Sequence, residues 1–360
     1  MAQLRWQHIL LVCWWFVSFV WLYMHLDDRL RHVKHELAVL RWQMKQQNIE
    51  RAGEQHSSKQ LMATSTWNPK NTIVIYNRIP KTGSTTFMAV AYELAKRNGF
   101  SALMMNVTRN KHTLHLADQA WLVANVSNWL PRKPALYHGH VAFIDFTRFA
   151  TPNPIYVQIV REPLDRLVTY YYFLRCGDTF RPHLQRSRMG DNETFDECVA
   201  RNGRDCQPDR MWLQIPFFCG HAPLCWEPGS RWALDQAKHR LVNDYLLVGN
   251  TENLTQFIMM VETLLPHMFT GAVEQFRSGG SHVRRTRCKV APSKETVAQM
   301  RNSVVWQLEH DFYAFAVEHF NALWHRLFRG TPDGDVVRRP KEIKYKKVKP
   351  RLPEYADDEL

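Results

Sequence analysis

The fold is decided by residues 72–86, which read TIVIYNRIPKTGSTT. The β-branched run 72–76 predicts a buried strand, and the segment near Ser84–Arg97 predicts a helix that follows it after a short loop. Backbone N–H groups at the start of such a helix, with hydroxyl groups and a lysine beside them, form a cradle for phosphate. The junction therefore predicts an α/β fold with a phosphate-binding loop.

The candidate phosphate-binding residues of this loop are Lys81, Thr82, Gly83, Ser84, Thr85 and Thr86. Gly83 is the only glycine among them, and it permits a close approach of the backbone to a ligand. The Walker pattern requires a second glycine, which this loop does not have, so an ordinary ATPase is disfavoured. The alternative is a serine-rich helix cap with an incidental lysine.

Strands and helices alternate along the chain after this loop. Further strands are predicted at Ala102–Val107, Ala135–His138 and Pro154–Val160. Helices are predicted at Gln119–Ala124 and Leu164–Arg175, and later at residues 211–216, 232–243, 254–265 and 294–327. This alternation predicts a central parallel sheet flanked by helices.

A second phosphate site is predicted where the buried strand PIYVQIV ends. Arg161 follows this strand directly, at the carboxyl end where parallel α/β sheets place their ligands. Thr169 lies on the next helix, so the two side chains can bind one additional phosphate. The alternative for Arg161 is a structural ion pair with Glu162 or Asp165.

Two histidines, His138 and His140, flank a glycine just after a short predicted strand. Both are potential metal ligands, but no third ligand with a recognisable spacing accompanies them, and we expect no metal. A neutral imidazole can instead take a proton from a hydroxyl group of a substrate. The pair is therefore a candidate for general-base catalysis.

The N-terminal region predicts a membrane anchor. Residues 8–26 form a nearly unbroken apolar run, close to the roughly 20 residues that a bilayer helix needs. The run has no small-residue cleavage site, which favours an uncleaved anchor, preceded by a cytoplasmic tail at 1–7, over a signal peptide. Apolar residues recur in steps of four and three over 27–48, which predicts a coiled-coil stem rather than a lone amphipathic helix. The polar residues 49–71 predict a linker.

Cysteine usage indicates an oxidising compartment. Six of the seven cysteines lie after the apolar run. Two short-range pairs are spaced for local disulfides, namely Cys198 with Cys206 and Cys219 with Cys225. Zinc is the competing interpretation, but neither pair has the CxxC spacing of a structural zinc site. Cys176 and Cys288 remain unassigned.

Glycosylation sequons also indicate an oxidising, lumenal compartment, and the net charge indicates the type of partner. Sequons of the Asn-x-Ser/Thr type occur at Asn106, Asn125, Asn192 and Asn253. The formal charge of +13 favours a polyanionic partner. Because sequons and disulfides predict a lumenal globular domain, nucleic acid is disfavoured, and an acidic membrane surface or a sulfated glycan remains as the polyanionic partner.

Taken together, these motifs resemble the heparan sulfate 2-O-sulfotransferase family, over a stretch from about Ile73 to Leu327. The matching segments are RIPKTGST, YHGHV, RLVTYYYFLR, TFDECVA, WLQIPFFCGH and SRWALDQAK. A lysine ahead of Gly-Ser-Thr is similar to the 5′-phosphosulfate loop of sulfotransferases. The uronyl 2-O-sulfotransferases, which act on dermatan and chondroitin chains, are the neighbouring alternative, but they typically have only the second histidine of the YHGH pair.

The resemblance implies a P-loop-like sulfotransferase fold over residues 72–328, followed by a charged tail at 329–360. It implies 3′-phosphoadenosine 5′-phosphosulfate (PAPS) as sulfuryl donor and the uronic acid 2-hydroxyl of a heparan sulfate chain as acceptor, iduronic more often than glucuronic. It also implies a single-pass type II protein of the Golgi membrane with a lumenal catalytic domain. A homotrimer is implied too, and the predicted stem agrees with it.

The resemblance also implies roles for individual residues. His140 is expected to be the general base, with His138 as its partner, and Lys81 to neutralise charge on the leaving phosphate. The loop Thr82–Thr86 is expected to line the 5′-phosphosulfate, and the arginine and threonine of the second site to hold the 3′-phosphate. The residues expected to contact the glycan are Arg78, Tyr92, Tyr170, Asp178, Arg181, Arg186 and Arg284.

Two further alternatives come from other classes of protein. A nucleotide-dependent glycan kinase would need acidic Mg²⁺ ligands near the phosphate loop, and we find no convincing carboxylate of that kind. A non-catalytic heparin-binding membrane glycoprotein would use the same basic surface without needing the two histidines. The final residues ADDEL resemble a retrieval signal only loosely, because Lys or His is expected ahead of Asp-Glu-Leu.

Overall fold

A computed structural model describes residues 69–107, 111–279, 285–330 and 336–340, which belong to one structural unit, Asn68–Leu360. The predicted tail, anchor and stem (1–7, 8–26 and 27–48) and most of the linker lie outside the described residues. Among the described helices, none has both the length and the apolarity that crossing a membrane requires.

A five-stranded, fully parallel sheet organises the fold, which confirms the predicted α/β class. Its strands are β1 (Ile73–Asn77), β2 (Ser101–Met105), β3 (Ala135–Gly139), β4 (Ile155–Val160) and β5 (Tyr245–Asn250). Their order across the sheet is β2-β3-β1-β4-β5, so the strand before the phosphate loop is central. The sequence did not predict β5, because its run YLLVGN follows a helix with no glycine or proline between them.

The helices connect these strands and extend beyond them. In chain order they are α1 (Ser84–Asn98), α2 (Leu116–Asn128), α3 (Pro163–Cys176), α4 (Phe195–Ala200), α5 (Gln214–Cys219), α6 (Arg231–Asn243), α7 (Leu254–Leu264), α8 (Pro266–Phe269), α9 (Ala272–Arg277), α10 (Lys294–Arg301) and α11 (Val304–Leu327). The sequence predicted one helical segment over 294–327. It is divided because Ser303 caps α11, its hydroxyl accepting the N–H of Trp306 at 3.2 Å.

Two hydrophobic cores lie on opposite faces of the sheet, as the alternation of side chains along β1 requires. Val74 and Tyr76 belong to one core with Phe87 of α1, whereas Ile75 belongs to the other with residues of α3, α5 and α6. Burial of a side chain such as Phe87 contributes roughly 1.5–3 kcal/mol. This packing fixes α1 against β1 and so defines the position of the loop between them.

The disulfides in the described residues are Cys198–Cys206, Cys219–Cys225 and Cys176–Cys288. The first two are the predicted local pairs, which are confirmed. The third joins the two cysteines that the sequence left unassigned, because they are 112 residues apart and only the fold brings them together.

The sequon asparagines differ in accessibility. Asn106, Asn125 and Asn192 are exposed, whereas Asn253 is half-buried at the start of α7. After α11 the chain forms a short antiparallel hairpin of β6 (Phe328–Gly330) and β7 (Val336–Arg338). The predicted charged tail therefore begins with regular structure, and residues 341–360 lie outside the described part.

Candidate active site

The carboxyl ends of β1, β3 and β4 meet at one edge of the sheet, beside a cavity of about 1160 Å³. Open parallel sheets bind their ligands at this edge. The predicted site residues that line the cavity are Arg78, Lys81, Gly83, Ser84, Thr85, Thr86, Tyr92, His138, His140, Arg161, Thr169, Tyr170, Arg181 and Arg186. Thr82 and Asp178 are buried behind this lining, and Arg284 lies outside the described residues.

The loop between β1 and α1 is shaped by two residues with left-handed backbone, Lys81 (φ 70°) and Gly83 (φ 78°). Backbone of this kind directs N–H groups toward one point and forms an anion-binding nest. The buried Thr82 between them donates its hydroxyl to the carbonyl of Ile79 at 3.1 Å, so its side chain stabilises the loop. α1 begins at Ser84, where the positive end of the helix dipole adds to the attraction for an anion.

One aromatic ring orients two cations of the cavity. The Nζ of Lys81 lies 3.2 Å from the ring centroid of Phe173, and the guanidinium carbon of Arg186 lies 4.2 Å from the same centroid. Such contacts contribute about 0.5–1 kcal/mol at exposed sites and more where water is excluded. Phe173 was not predicted as a site residue, although it lies one helical turn beyond Thr169 on the same face of α3.

The predicted second phosphate site contains more charge than the sequence indicated. Arg161 donates from Nη1 to the carbonyl of Lys81 at 3.1 Å and from Nε to Asp165 at 2.7 Å. The ion pair that was the alternative for Arg161 is therefore present beside the cavity. Lys289 donates from Nζ to the hydroxyl of Thr169 at 3.0 Å and also to Asp165.

The charge of this second site is positive in sum, since Asp165 faces two cations. Burial opposes the ionisation of Asp165, but the hydrogen bond from Lys289 and the charge of Arg161 outweigh it and lower the pKa of the carboxyl. The excess positive charge suits a phosphate group. Sequence reasoning missed Lys289 because it lies 120 residues from Thr169 along the chain.

The backbone of Arg161 is held at both ends by one buried side chain. Gln214 accepts the N–H of Arg161 at 2.9 Å and donates to its carbonyl at 2.8 Å. Glu309 of α11 accepts from Gln214 at 3.3 Å and from two backbone N–H groups beside it. Burial raises the pKa of Glu309 to about 7, against the opposing charge of Arg166. This network fixes the point at which Arg161 leaves β4, and none of its members was predicted as a site residue.

His138 is held in the neutral form with both ring nitrogens engaged. Its Nδ1 accepts from the guanidinium of Arg78 at 3.3 Å, so its Nε2 carries the proton and donates to the hydroxyl of Tyr92 at 2.6 Å. Burial, with the charges of Arg78 and His140, lowers the pKa of His138 to about 4. His138 is therefore suited to fixing its neighbours and not to accepting a proton.

His140 has the other tautomer. Its Nδ1 lies 2.7 Å from the carbonyl oxygen of Arg78, which can only accept, so Nδ1 carries a proton, and in the neutral ring the lone pair is on Nε2. The ring is half-buried and lines the cavity. This arrangement suits a general base. In the described part of the chain, no group of three or more His, Cys, Asp and Glu side chains is placed to hold a metal ion.

A third histidine, His112, also lines the cavity, and no sequence motif indicated it. His112 donates from Nδ1 to the carbonyl of His140 at 3.1 Å, and its own carbonyl accepts the N–H of Ala142 at 2.9 Å. Its ring is stacked against Trp226 at 6.0 Å between centroids. Burial lowers the pKa of His112, so the ring stays neutral. These contacts secure the backbone that presents His140.

The loop after α3 carries the other predicted glycan contacts. Asp178 accepts the N–H groups of Phe180 and Arg181 at 3.1 and 2.8 Å, and its carboxylate lies 3.5 Å from Arg186. The structure therefore places this predicted contact behind the cavity, where it positions two arginines that do line it. Tyr170 is partly exposed on α3.

A loop that forms an anion-binding nest, a second cationic site and a histidine suited to act as a base share one cavity, and comparison with known proteins agrees with this combination. The sulfotransferase family profile matches residues 64–316, and the chain belongs to that family. Its relatives include heparan sulfate 2-O-sulfotransferase 1 of Xenopus laevis, 45% identical over 342 residues that cover 93% of this chain and 95% of the relative. The protein of the same name from Homo sapiens is 48% identical over 281 residues, 78% and 79% of the two chains. The heparin sulfate O-sulfotransferase of Drosophila melanogaster is 50% identical over 281 residues, with the same coverage.

Proposed function

We propose that this protein transfers the sulfuryl group of PAPS to the 2-hydroxyl of uronic acid residues in heparan sulfate. The observation that carries the proposal is the placement of His140, which lines the same cavity as the phosphate loop and is oriented by the hydrogen bond from its Nδ1 to the carbonyl of Arg78. The names of the similar enzymes support heparan sulfate as the acceptor. A dermatan or chondroitin uronyl acceptor is the alternative, which the intact histidine pair disfavours.

The two anion sites suit the two ends of the donor. The nest formed by residues 81–83 and the first turn of α1 would hold the 5′-phosphosulfate through backbone N–H groups and hydroxyls. Arg161, Thr169 and Lys289 would hold the 3′-phosphate, because two cations there outnumber the single carboxylate of Asp165.

The transfer step is an in-line displacement at sulfur. His140 Nε2 takes the proton of the acceptor hydroxyl as its oxygen bonds to sulfur, and the bond from sulfur to the phosphate oxygen breaks. The electron pair of that bond stays on the phosphate, and Lys81 neutralises the charge that develops there. The products are the sulfate ester and adenosine 3′,5′-bisphosphate.

The acceptor would lie against the arginines on the other side of the cavity. Arg181 and Arg186 line it from the loop after α3, and Arg78 lines it from the phosphate loop. Planar guanidinium groups pair bidentately with sulfate and carboxylate. The Arg78–His138–Tyr92 chain gives this wall a fixed shape, so it positions the sugar relative to His140.

We also propose the cellular setting that the sequence predicts. Residues 8–26 would anchor the protein in the Golgi membrane as a type II protein, and residues 27–48 would favour a homotrimer. The three disulfides support an oxidising lumen for the catalytic domain. Exposure of Asn106, Asn125 and Asn192 supports their glycosylation.

One assay tests the function. Purified protein is incubated with ³⁵S-labelled PAPS and N-sulfated, 2-O-desulfated heparan sulfate, and the products are resolved by disaccharide analysis. We expect label on the 2-hydroxyl of uronic acid. Dermatan and chondroitin sulfate form parallel arms, and preferential labelling of either would establish the alternative. A failure to label any of these glycans would overturn the proposal.

A further inference from the structure

Residues 285–289, which we term the clasp, border the cavity. Three clasp residues line it: Arg285, Thr286 and Lys289. The clasp pairs with the segment that follows α3, through a backbone bridge between Asp178 and Thr286. Three hydrogen bonds accompany this bridge: Thr179 N–H to Arg285 O at 3.0 Å, Arg287 N–H to Gly177 O at 3.2 Å, and Arg285 N–H to the Thr179 hydroxyl at 3.1 Å.

The Cys176–Cys288 disulfide fixes the clasp to the last residue of α3. Asp165, Thr169 and Phe173 lie on one face of this helix, at steps of four residues, and Cys176 follows three residues later. Because Cys288 directly precedes Lys289, the disulfide fixes the backbone position of Lys289 relative to α3. From there its side chain reaches back along the same face to Thr169 and Asp165.

The backbone of Cys288 adopts a conformation that its surroundings have to impose. Its φ of 47° lies in the left-handed region, which is unfavourable for a residue with a Cβ. Such a conformation persists where the surroundings impose it, and it often occurs at ligand sites. Here it turns the chain so that Lys289 enters the cavity, although the clasp residues around it are largely exposed.

We propose that the Cys176–Cys288 disulfide is a positioning element of the donor site, which holds Lys289 where its ammonium meets the second phosphate group of the donor. This inference rests on the proposed function, since it assumes that a doubly phosphorylated nucleotide is the ligand. Without the bond, the exposed clasp has to be ordered each time a nucleotide binds, and that ordering lowers the affinity. The Cys198–Cys206 bond is different, because neither of its cysteines is next in sequence to a residue that lines the cavity, whereas Cys288 directly precedes Lys289.

The test measures binding of adenosine 3′,5′-bisphosphate by calorimetry, together with kcat and the KM for PAPS. For Cys176→Ser/Cys288→Ser we expect the affinity for the bisphosphate to fall on the order of tenfold and the KM for PAPS to rise by a similar factor. We expect kcat at saturating donor to change by less than about twofold. The matched control, Cys198→Ser/Cys206→Ser, should lower thermal stability and leave nucleotide affinity within about twofold of the wild type.

A second variant separates positioning from general stabilisation. Lys289→Met, with all disulfides intact, should reproduce the loss of nucleotide affinity. In the triple variant Cys176→Ser/Cys288→Ser/Lys289→Met, the losses of nucleotide affinity from removing the disulfide and from removing the lysine should not add, because the disulfide acts through the lysine. Nucleotide affinity that is unchanged in Lys289→Met, or a triple variant with fully additive losses, would overturn the inference. A wild-type protein that does not bind adenosine 3′,5′-bisphosphate would instead overturn the proposed function.

Discussion

At the scale of single residues, the hydrogen bonds of Arg78 distinguish the two histidines. Its guanidinium donates to Nδ1 of His138, and its backbone carbonyl accepts from Nδ1 of His140. The same residue therefore places the proton on Nε2 in one ring and on Nδ1 in the other. His138 is thereby a fixed part of the cavity wall, and His140 has the orientation that the proposed base requires.

Replacing the base should abolish transfer without affecting the donor site. For His140→Ala we expect kcat to fall by about 10²–10⁴-fold, the usual contribution of a general base. The affinity for adenosine 3′,5′-bisphosphate should stay near the wild-type value, because the proposed role of His140 is toward the acceptor hydroxyl and not toward either phosphate group of the nucleotide. The measurements are transfer rates and calorimetry, with the exposed His325→Ala as control. A large loss of nucleotide affinity in His140→Ala would contradict the assignment.

His221 should make the folded state sensitive to acid. Burial, with a smaller effect of the Arg148 charge, lowers its pKa from 6.5 to about 4, and its Nδ1 accepts the N–H of Leu114. Since the unfolded chain binds a proton between these values and the folded protein does not, stability is lost as the pH falls from 6.5 towards 4. The loss between pH 7.5 and pH 5 amounts to about 2 kcal/mol for this group.

The variant His221→Asn isolates that effect, because its amide oxygen can accept the same N–H and does not titrate. Urea unfolding of both proteins at pH 7.5 and pH 5 should show the wild type losing about 2 kcal/mol more than the variant over this range. Other titrating groups are common to the two proteins and cancel in the comparison. Equal losses of stability in the two proteins would contradict the prediction, because they would mean that folding does not lower the pKa of His221.

At the scale of elements, the close contact between β2 and β3 explains the glycine between the histidines. Gly139 pairs with Met105, and a Cβ at Gly139 would lie 2.5 Å from the Met105 carbonyl oxygen. Any side chain there must push the two strands apart. Both histidines would move with β3.

We therefore expect Gly139→Ala to impair catalysis and stability together. Overpacking of this kind costs about 1–3 kcal/mol, and kcat should fall by more than about tenfold because His140 shifts relative to the donor. Gly330→Ala is the matched control, because a Cβ at Gly330 meets no atom within 4 Å. Chemical denaturation and transfer assays measure the two effects. Near-wild-type kcat in Gly139→Ala would mean that the base tolerates movement of β3.

Local patterns predicted the elements that carry their own signals, and tertiary contacts supplied the rest. β1, β4 and the phosphate loop were predictable because β-branched runs and the Lys-Thr-Gly-Ser order are local. β5 was missed because the sheet, and not its own pattern, selects the strand conformation of YLLVGN. Lys289, Gln214 and His112 were missed because each acts on a residue far away in the chain. Only their contacts show what they do.

At the scale of the whole molecule, the charge of +13 should govern how the acceptor binds. Attraction between a basic cleft and a sulfated chain is screened by salt. Between 50 and 200 mM salt we expect the KM for heparan sulfate to rise by about tenfold, and the KM for PAPS by less than about threefold, since the donor carries fewer charges.

Arg186→Ala should make the salt dependence of the acceptor KM less steep, because one ionic contact is removed. Lys96→Gln, at an exposed position on α1, is the matched control and should leave the dependence unchanged. Steady-state kinetics at several salt concentrations give both slopes. Identical slopes for Arg186→Ala and the wild type would remove Arg186 from the acceptor site.

The Cys176–Cys288 bond encloses the other two disulfides in chain order. During synthesis Cys176 leaves the ribosome before the four cysteines that pair among themselves, and its own partner emerges last. In an oxidising compartment Cys176 meets four wrong thiols before the right one, and each wrong bond has to be exchanged. The yield of native enzyme should therefore depend on a disulfide isomerase, and a host that secretes the protein should give more active product than one that keeps it in a reducing cytosol.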